Sequence, residues 1–502
     1  MIHEFQYEEK VVAEAVIRVF KHRPKSLWEM FSRTVANFPG RMALVSRERR
    51  ISYEELNRRA ASLCTLLKED LHVGKGDRVA LFLKNDDAFV VAFLALSRAG
   101  AVSVVLNTQL KRPALEDQLK ITKPVGGIVD EEIWDNGLDP MLGWKIQKDF
   151  LVEGYSSERR CDPIACDEED LHTILFTSGT TGMPKGAMIL HRNLIHSAMR
   201  MDHYMGKLGI DVRTEGGRTL VAAPLFHVMA LQEQLLPSLW MGGTSVLMEH
   251  FRVGPFTELI LRERIDQLVA PPAVYRILLS REEFKSLNLG NVKLVGFGGA
   301  PMPPDMLREM KGVFQNAKLI NGFGLTEASV SAIAIDEECI QRPTSIGRAS
   351  AGSEVRIVSQ EMKDMPYGEV GEIAVRGPHV VAGYFDDPEE TADKFRSGWF
   401  LTGDLGTMDK DGFIFVSGRK KEMIIRGGEN VYPVSVENVL CLHPKILEVA
   451  VCGVPDEVMG EKVVACIVPL PGTCLTEDEV LKFCSGKLAK YQIPEYIKFV
   501  SA

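Results

Sequence analysis

The chain has no apolar run approaching the ~20 residues that a membrane-spanning helix needs, so no such helix is expected. Positive charge is not in surplus either. Lys and Arg number 59 against 68 Asp and Glu, a formal net charge of −9, which argues against a broad nucleic-acid-binding surface and leaves room for a local basic cleft. The nine cysteines (Cys64, Cys161, Cys166, Cys339, Cys441, Cys452, Cys466, Cys474 and Cys484) include no CxxC pair. Cys161 and Cys166 are the nearest couple in an acidic stretch, and no histidine at zinc-site spacing accompanies them. Reduced thiols in a reducing compartment are the expectation. The opening MIHEFQYEEK is acidic and lacks an apolar h-region, so no secretory signal is visible and a cytoplasmic location is the default. Internal repeats and low-complexity tracts are missing too. What is there is ordinary globular material, 45% hydrophobic and 25% charged, which excludes disordered, collagen-like and coiled-coil classes. A length of 502 residues suggests roughly two to four structural units.

From 27 to 107, helical and strand patterns alternate. LWEMFSRTVANF and SYEELNRRAASLCTLLKEDL read as amphipathic helices, the second with Ser52 as N-cap. DRVALFLKN reads as a strand, FVVAFLALSRAG as a helix ending at Gly100, and AVSVVLN as the next strand. That βαβ order predicts a parallel sheet. The polar stretch 153–170 predicts a surface connection. Beyond it, TLVAAPLF, GGTSVLM, QLVAPPAV and KLVGFGGA are strand candidates separated by apolar helical material. From about 345, GSEVRIVSQ, VGEIAVRG and GFIFVSGR alternate between turn residues and predict a β-rich subdomain. GRKKEMIIRGGENVYP (418–433), dense in charge and glycine, is the linker candidate. The helix and strand patterns after it suit a small α+β module. The expected class is α/β: a large N-terminal unit of parallel-rich sheets with flanking helices and a β-rich subdomain, then a small α+β unit.

Several stretches carry chemistry. In TSGTTGMPKG (177–186) the strand ILF runs into glycines that permit positive φ and close backbone approach, with hydroxyls on Thr177, Ser178, Thr180 and Thr181 and a point charge on Lys185. The loop could cradle phosphate or be a flexible turn. It is not a Walker A loop, because Lys185 precedes Gly186 and AMILHRN reads as a strand. NGFGLTEAS (321–329) sets Phe323 between glycines, where a ring could cover an adenine face. Thr326 and Glu327 follow, able to hold phosphate and Mg²⁺; the plain alternative is a strand-to-helix turn with Thr326 as N-cap. WFLTGDLG (399–406) puts Asp404 in a glycine-flanked turn, suited to ribose hydroxyls yet common in turns. In GRKKE (418–422), Arg419 could reach the same nucleotide or belong to a solvated basic run. His227, in the apolar APLFHVMAL (223–231), reads by itself as a satisfied core histidine.

Taken in order, these stretches resemble the adenylate-forming superfamily of acyl-CoA synthetases, luciferases and peptide-synthetase adenylation domains. ISYEELN (51–57), LSRAGAVSVVLN (96–107), GFGGAPMP (296–303), SIGRA (345–349) and GEIAVRGPHVVAGYFDDPEET (371–391) extend the likeness over nearly the whole chain. The resemblance implies an N-terminal adenylating domain, 1–420, and a mobile C-terminal domain, 421–502, that close over ATP and a carboxylic acid. An acyl-adenylate forms as pyrophosphate leaves, and after rotation of the small domain a CoA thiol takes the acyl group. By the same resemblance Thr177, Ser178, Gly179, Thr180 and Thr181 cradle the β- and γ-phosphates, with Lys185 beside them. Gly299, Ala300, Pro301 and Phe323 flank the adenine, Thr326 contacts the α-phosphate, Glu327 holds Mg²⁺, and Asp404 and Arg419 bind the ribose. Lys421 stands at the hinge, and Gly427 and Gly428 line the pantetheine tunnel.

Amino-acid-activating members of the family carry an Asp near APLFHV; here no acid appears before Glu233. His227 instead resembles the histidine that borders the carboxylate and thiol path in acyl- and aryl-CoA ligases. An ATP-dependent acid–CoA ligase is therefore expected, with Mg²⁺, ATP and CoA, and no nucleic-acid partner; a homodimer stays open. The acyl pocket is expected from 228–233, 275, 296–300 and 322–330, roomy at Gly298, Gly299 and Ala300 and apolar at Met229, Leu231 and Phe297, with no obvious internal charge to meet a second carboxylate. That favours a medium or long fatty acyl chain; an aryl-acid CoA ligase and a stand-alone adenylation enzyme loading a carrier protein are the alternatives. The family's last loop, whose lysine meets the substrate carboxylate, is not matched by Lys487 or Lys490. YQIPEYIKFVSA fits its lead-in, so the loop is expected past Ala502, and a chain ending there is expected to adenylate slowly.

Overall fold

The computed structural model describes residues 5–12, 15–152, 161–177, 184–470 and 472–500. Its first large sheet grows from the predicted βαβ unit. Strand Arg78–Phe82 pairs in parallel with Val102–Val105. Between them runs helix Asp87–Ala99, whose first turn is capped by Asp86 accepting from the Phe89 N–H at 3.3 Å. That helix is apolar nearly all round and is buried accordingly. It stops where Gly100 takes φ 67, a left-handed cap that glycine adopts at little cost. The sheet has six strands in the order Lys185–Leu190, Leu171–Thr177, Val102–Val105, Arg78–Phe82, Gly126–Val129, Lys145–Gln147. All neighbours are parallel except the first pair, where Lys185 stands opposite Thr177. Both ends of the glycine-rich loop therefore meet at one sheet edge; Ser178, Gly179, Thr180 and Thr181 lie outside the described residues. AMILHRN is a strand only as far as Leu190, and His191 opens the helix His191–Lys207.

The second large sheet has nine strands. Its parallel centre contains all four strand candidates, as Thr244–Leu247, Arg218–Val221, Gln267–Ala270 and Leu294–Gly298, flanked by Met42–Ser46 and Lys318–Leu325. Ser329–Ile335 folds back antiparallel on Lys318–Leu325. The turn at Thr326 thus joins strand to strand, not strand to helix. The main core gathers Phe31, Phe89, Phe93 and Leu94 with Leu194 and Leu231, tying helices of both sheets into one apolar interior. A β-rich unit follows: Glu354–Val358, Gly371–Arg376, Trp399–Met408, Phe395–Arg396 and Ile414–Arg419, all antiparallel.

The chain leaves that sheet at Arg419 and enters another at Ile424. This last sheet contains Ile424–Arg426, Glu429–Val431, Ile446–Asp456, Gly460–Pro469 and Tyr496–Phe499, with helices Pro433–Leu440 and Glu477–Cys484 packed on a small core of its own. The stretch 418–433, expected as a linker, is thus mostly a hairpin. Gly427 and Gly428, at φ 59 and 87, supply the two positive-φ residues of its tight turn. A second hairpin, Tyr7–Val12 with Ala15–Phe20, had no counterpart in the sequence reading. Among the described residues no helix is long and apolar enough to cross a membrane.

Candidate functional site

The chemistry-bearing stretches converge because they sit on neighbouring strand ends. Leu294–Gly298 and Lys318–Leu325 run side by side with Gly298 opposite Gly322. A Cβ on Gly298 would stand 2.2 Å from the Gly322 carbonyl oxygen, so the close approach requires glycine. Gly299, at φ 78, then turns the chain outward, leaving Gly299, Ala300 and Pro301 exposed as an open shelf next to half-buried Phe323. On the hairpin beyond, Gly324 is equally constrained: an added Cβ would lie 1.8 Å from the Ser329 carbonyl oxygen. Ser329 itself is held at φ 40, a left-handed conformation uncommon for a non-glycine residue.

Thr326 and Glu327 are carried on this tight turn, and a crossing segment fixes them to the first sheet. The Val381 N–H donates to the Glu327 carbonyl at 3.0 Å. Residues 382–385 then line the edge strand Lys185–Leu190, with Phe385 N–H donating to Gly186 at 2.7 Å and Met188 N–H to Gly383 at 2.9 Å. Tyr384, brought there by this pairing, donates its hydroxyl to Glu327 Oε1 at 2.8 Å. Lys185 Nζ stands 5.7 Å from the Tyr384 ring and pairs with Glu390 Oε1 at 2.6 Å. Glu390 is placed by the first turn of helix Pro388–Lys394, where Asp387 caps its N–H. Burial pushes the Glu327 carboxyl above its usual range, against the pull of the Tyr384 hydroxyl and the nearby Arg419 and Lys185 charges.

Asp404 and Arg419 face each other across two strands, with Arg419 Nε donating to Asp404 Oδ1 at 3.1 Å. Asp404 is 4% exposed, and burial pushes its carboxyl up to about 6 although Arg419 opposes the rise. Two carboxylates reluctant to stay charged, flanked by Lys185 and Arg419, suit a ligand that brings hydroxyl donors or a cation. Among the described residues no three His, Cys, Asp or Glu side chains are grouped to hold a metal ion. Lys421 lies exposed between Arg419 and Ile424, and Gly427 and Gly428 are exposed at their hairpin turn.

His227 is not a core histidine. It precedes the short helix Val228–Ala230 with its side chain open to solvent and its ring 4.6 Å from that of Phe226. The surrounding protein removes enough water to lower its pKa, which favours the neutral imidazole. Beside it opens a cavity of about 230 Å³ whose walls include Val228, Met229, Phe297, Gly299, Ile320 and Thr326. Part of the expected wall of this pocket lies elsewhere: Leu231 is fully buried and Ala300 exposed, and neither lines the cavity. Tyr275 is not on its wall but behind it, fully buried, with its hydroxyl on the Gly296 carbonyl at 2.8 Å. The pocket also does contain a charge: Glu233 lines it, paired with buried Arg200 at 2.5 and 2.6 Å. Tyr384, Glu390 and Arg200 were assigned no role from sequence, and Glu233 fell within the expected pocket stretch without a role for its charge. The run QEQ inside an apolar helical stretch was the available signal for Glu233, since three adjacent polar residues there must find buried partners.

An open glycine shelf, two carboxylates whose charge is disfavoured by burial and a largely apolar cavity that reaches Thr326 make up the candidate site. Comparison with known proteins gives its class. The AMP-binding enzyme model matches residues 31–385 and the AMP-binding enzyme C-terminal domain model matches residues 435–502. The chain belongs to the AMP-binding enzyme family. It is 33% identical to a feruloyl-CoA synthase of an Amycolatopsis species over 89% of this chain and 90% of that one. It is 32% identical to a long-chain-fatty-acid–CoA ligase of Mycobacterium tuberculosis over 90% of each. Among solved structures, o-succinylbenzoate CoA synthetase from Bacillus subtilis, in complex with its acyl-adenylate intermediate, superposes with a TM-score of 0.85 at 29% identity over 95% of each chain.

Proposed function

We propose that the protein is an ATP-dependent acid–CoA ligase acting through an acyl-adenylate on a carboxylic acid of medium size. The observation that carries this is the largely apolar cavity that reaches Thr326, whose chain neighbour Glu327 lies within electrostatic reach of Asp404. In the proposed complex the adenine lies on the shelf Gly299–Pro301 against Phe323, Asp404 and Arg419 take the ribose hydroxyls, and Thr326 donates to the α-phosphate. Thr177 and Lys185, with Ser178, Gly179, Thr180 and Thr181, face the β- and γ-phosphates. A Mg²⁺ ion held by Glu327 and the phosphates would neutralise charge on the leaving pyrophosphate. An oxygen of the acid's carboxylate attacks the α-phosphorus, the bond to the β-phosphate oxygen breaks, and pyrophosphate departs. The small unit then turns about Lys421, the boundary between domains 1–420 and 421–502. The Gly427–Gly428 turn admits the pantetheine, His227 borders the thiol path, and thiolate attack on the acyl carbon releases AMP.

The cavity volume bears on the acid. About 230 Å³ falls below the ~300–1,000 Å³ of ordinary ligand pockets, which favours a medium acyl chain or a single aryl group over a long chain. Free thiols at all nine cysteines suit a cytoplasmic setting. A panel of alkyl and aryl acids, scored for pyrophosphate release with and without CoA, tests the proposal. CoA-dependent AMP and thioester formation is the expected result. Pyrophosphate exchange without turnover of free CoA would instead indicate a carrier-loading enzyme, and no release with any acid would overturn the proposal.

A further inference from the structure

The walls of the acyl cavity are glycine or apolar except at Thr326, Glu233 and Ser329. Thr326 belongs to the phosphate side. The other two form a buried polar station whose presence in an apolar pocket requires a reason, because a buried carboxylate is costly unless paired. Glu233 is reached through a local irregularity: Leu231–Leu235 is a π-helical turn, wider than the α-helix and recurrent at functional sites. It buries Gln232, Glu233 and Gln234 together. Gln232 accepts from Ser197 Oγ at 3.1 Å, and Gln234 donates to the Val269 carbonyl at 2.8 Å. Glu233 alone of the three lines the cavity.

Its own contacts leave capacity. Arg200 Nη2 donates to both carboxylate oxygens, and the strained Ser329 donates to Oε1 at 2.7 Å. Arg200 Nη1 is committed elsewhere, to the Val330 carbonyl at 2.9 Å. A carboxylate offers about four acceptor positions, so Oε2, with only its Arg200 bond, keeps one to offer. The side chains of Arg200 and Glu233 are 1% and 7% exposed, whereas the mouth residues His227 and Gly299 are open. The acceptor is therefore on the inner wall, away from the reacting carboxylate.

Resting on the acid–CoA ligase proposed above, we infer that Glu233, positioned by Arg200 and Ser329, selects acids that carry a hydrogen-bond donor at the end remote from the carboxylate. A hydroxyl there completes the carboxylate's bonds. A hydrogen atom or an ether at the same place leaves the buried acceptor unmet, the situation by which sites built for a hydroxyl reject analogues without one.

The test compares matched acids on the full chain with ATP and CoA: phenylpropanoate, its para-hydroxy derivative and its para-methoxy derivative, read as kcat/KM for pyrophosphate release. The hydroxy acid is expected to lead both others by about tenfold to a hundredfold, the range of a hydrogen bond to a charged acceptor. The double variant Arg200→Met with Glu233→Leu replaces the ion pair by apolar volume, a change that buried pairs commonly tolerate; in it the ratio should fall to near one. The variant Ser329→Ala, which spares the pair, should reduce the ratio without abolishing it. Release from all three acids with no lead for the hydroxy acid overturns the donor subsite and leaves the ligase proposal standing. A lead that survives the double variant overturns the role of Glu233. No release from any acid overturns the ligase proposal and this inference with it.

Discussion

Asp404 offers the clearest case in which the proposed nucleotide site works against the stability of the empty protein. Its carboxyl is buried and titrates at about 6 instead of the usual 3.8, with Arg419 too exposed, at 54%, to offset the burial. The folded protein therefore binds this proton more tightly than the unfolded chain does. Below the unfolded pKa the group is neutral in both states and costs nothing. As pH rises through the folded pKa the folded protein must hold a buried charge, and stability is lost. A rise from 3.8 to about 6 corresponds to about 3 kcal/mol once both states are ionised. Asp404→Asn keeps the shape and the acceptor for Arg419 but does not titrate. Its stability relative to wild type should increase by about 3 kcal/mol between roughly pH 4 and pH 7. Guanidinium unfolding followed by tryptophan fluorescence reads the difference, Trp399 lying on the same strand. The same variant should bind AMP at least about tenfold more weakly, having lost the proposed ribose acceptor, a trade of function for stability. A wild-type-minus-variant difference that stays flat across that range would refute the electrostatic reasoning.

Three further variants probe the machinery around Glu327. Tyr384→Phe removes the 2.8 Å hydroxyl bond and keeps the ring, so adenylation should fall about tenfold to a hundredfold. Because that bond favours the charged carboxylate, the acid limb of the rate profile should move to higher pH; an unmoved limb in pyrophosphate-release assays would dissociate Tyr384 from Glu327. Glu390→Ala frees Lys185 from a partly exposed pair, and ATP affinity measured by calorimetry should rise about two- to fivefold, whereas a fall would show that Glu390 orients the lysine. Gly324→Ala forces a Cβ against the Ser329 carbonyl, so unfolding should show a loss of about 1–3 kcal/mol, with adenylation falling more steeply because Thr326 and Glu327 sit on that turn.

Where one local signal decided an element, the sequence was legible. Gly100 ends its helix in the left-handed conformation, and Ser52 caps the helix Tyr53–Thr65 by accepting from Glu55 N–H at 3.2 Å. The apolar run KLVGFGGA became the strand Leu294–Gly298 for the same reason. Where long-range pairing decided, it was not. IIRGGENV looked like a linker because its charges hid two short strands, and only the neighbouring Gly460–Pro469 makes them a sheet. YEEKVV pairs with AVIRVF in a hairpin tied to Glu168, far along the chain, through its own Lys10 and through Arg23 just beyond it. The site divides likewise. Gly298 was read as room in the pocket and Gly324 as a flank of Phe323, whereas both serve close backbone approach, and no local pattern links Tyr384 to Glu327 or Arg200 to Glu233, residues 57 and 33 positions apart that folding alone brings together.

The central claim is that the acid's own carboxylate oxygen attacks the α-phosphorus of ATP. Turnover with a carboxylic acid labelled with heavy oxygen in its carboxylate, followed by mass spectrometry of both products, tests it directly. The proposal predicts one labelled oxygen in AMP and none in pyrophosphate. Label in pyrophosphate, or AMP without label while acyl-CoA accumulates, would contradict it.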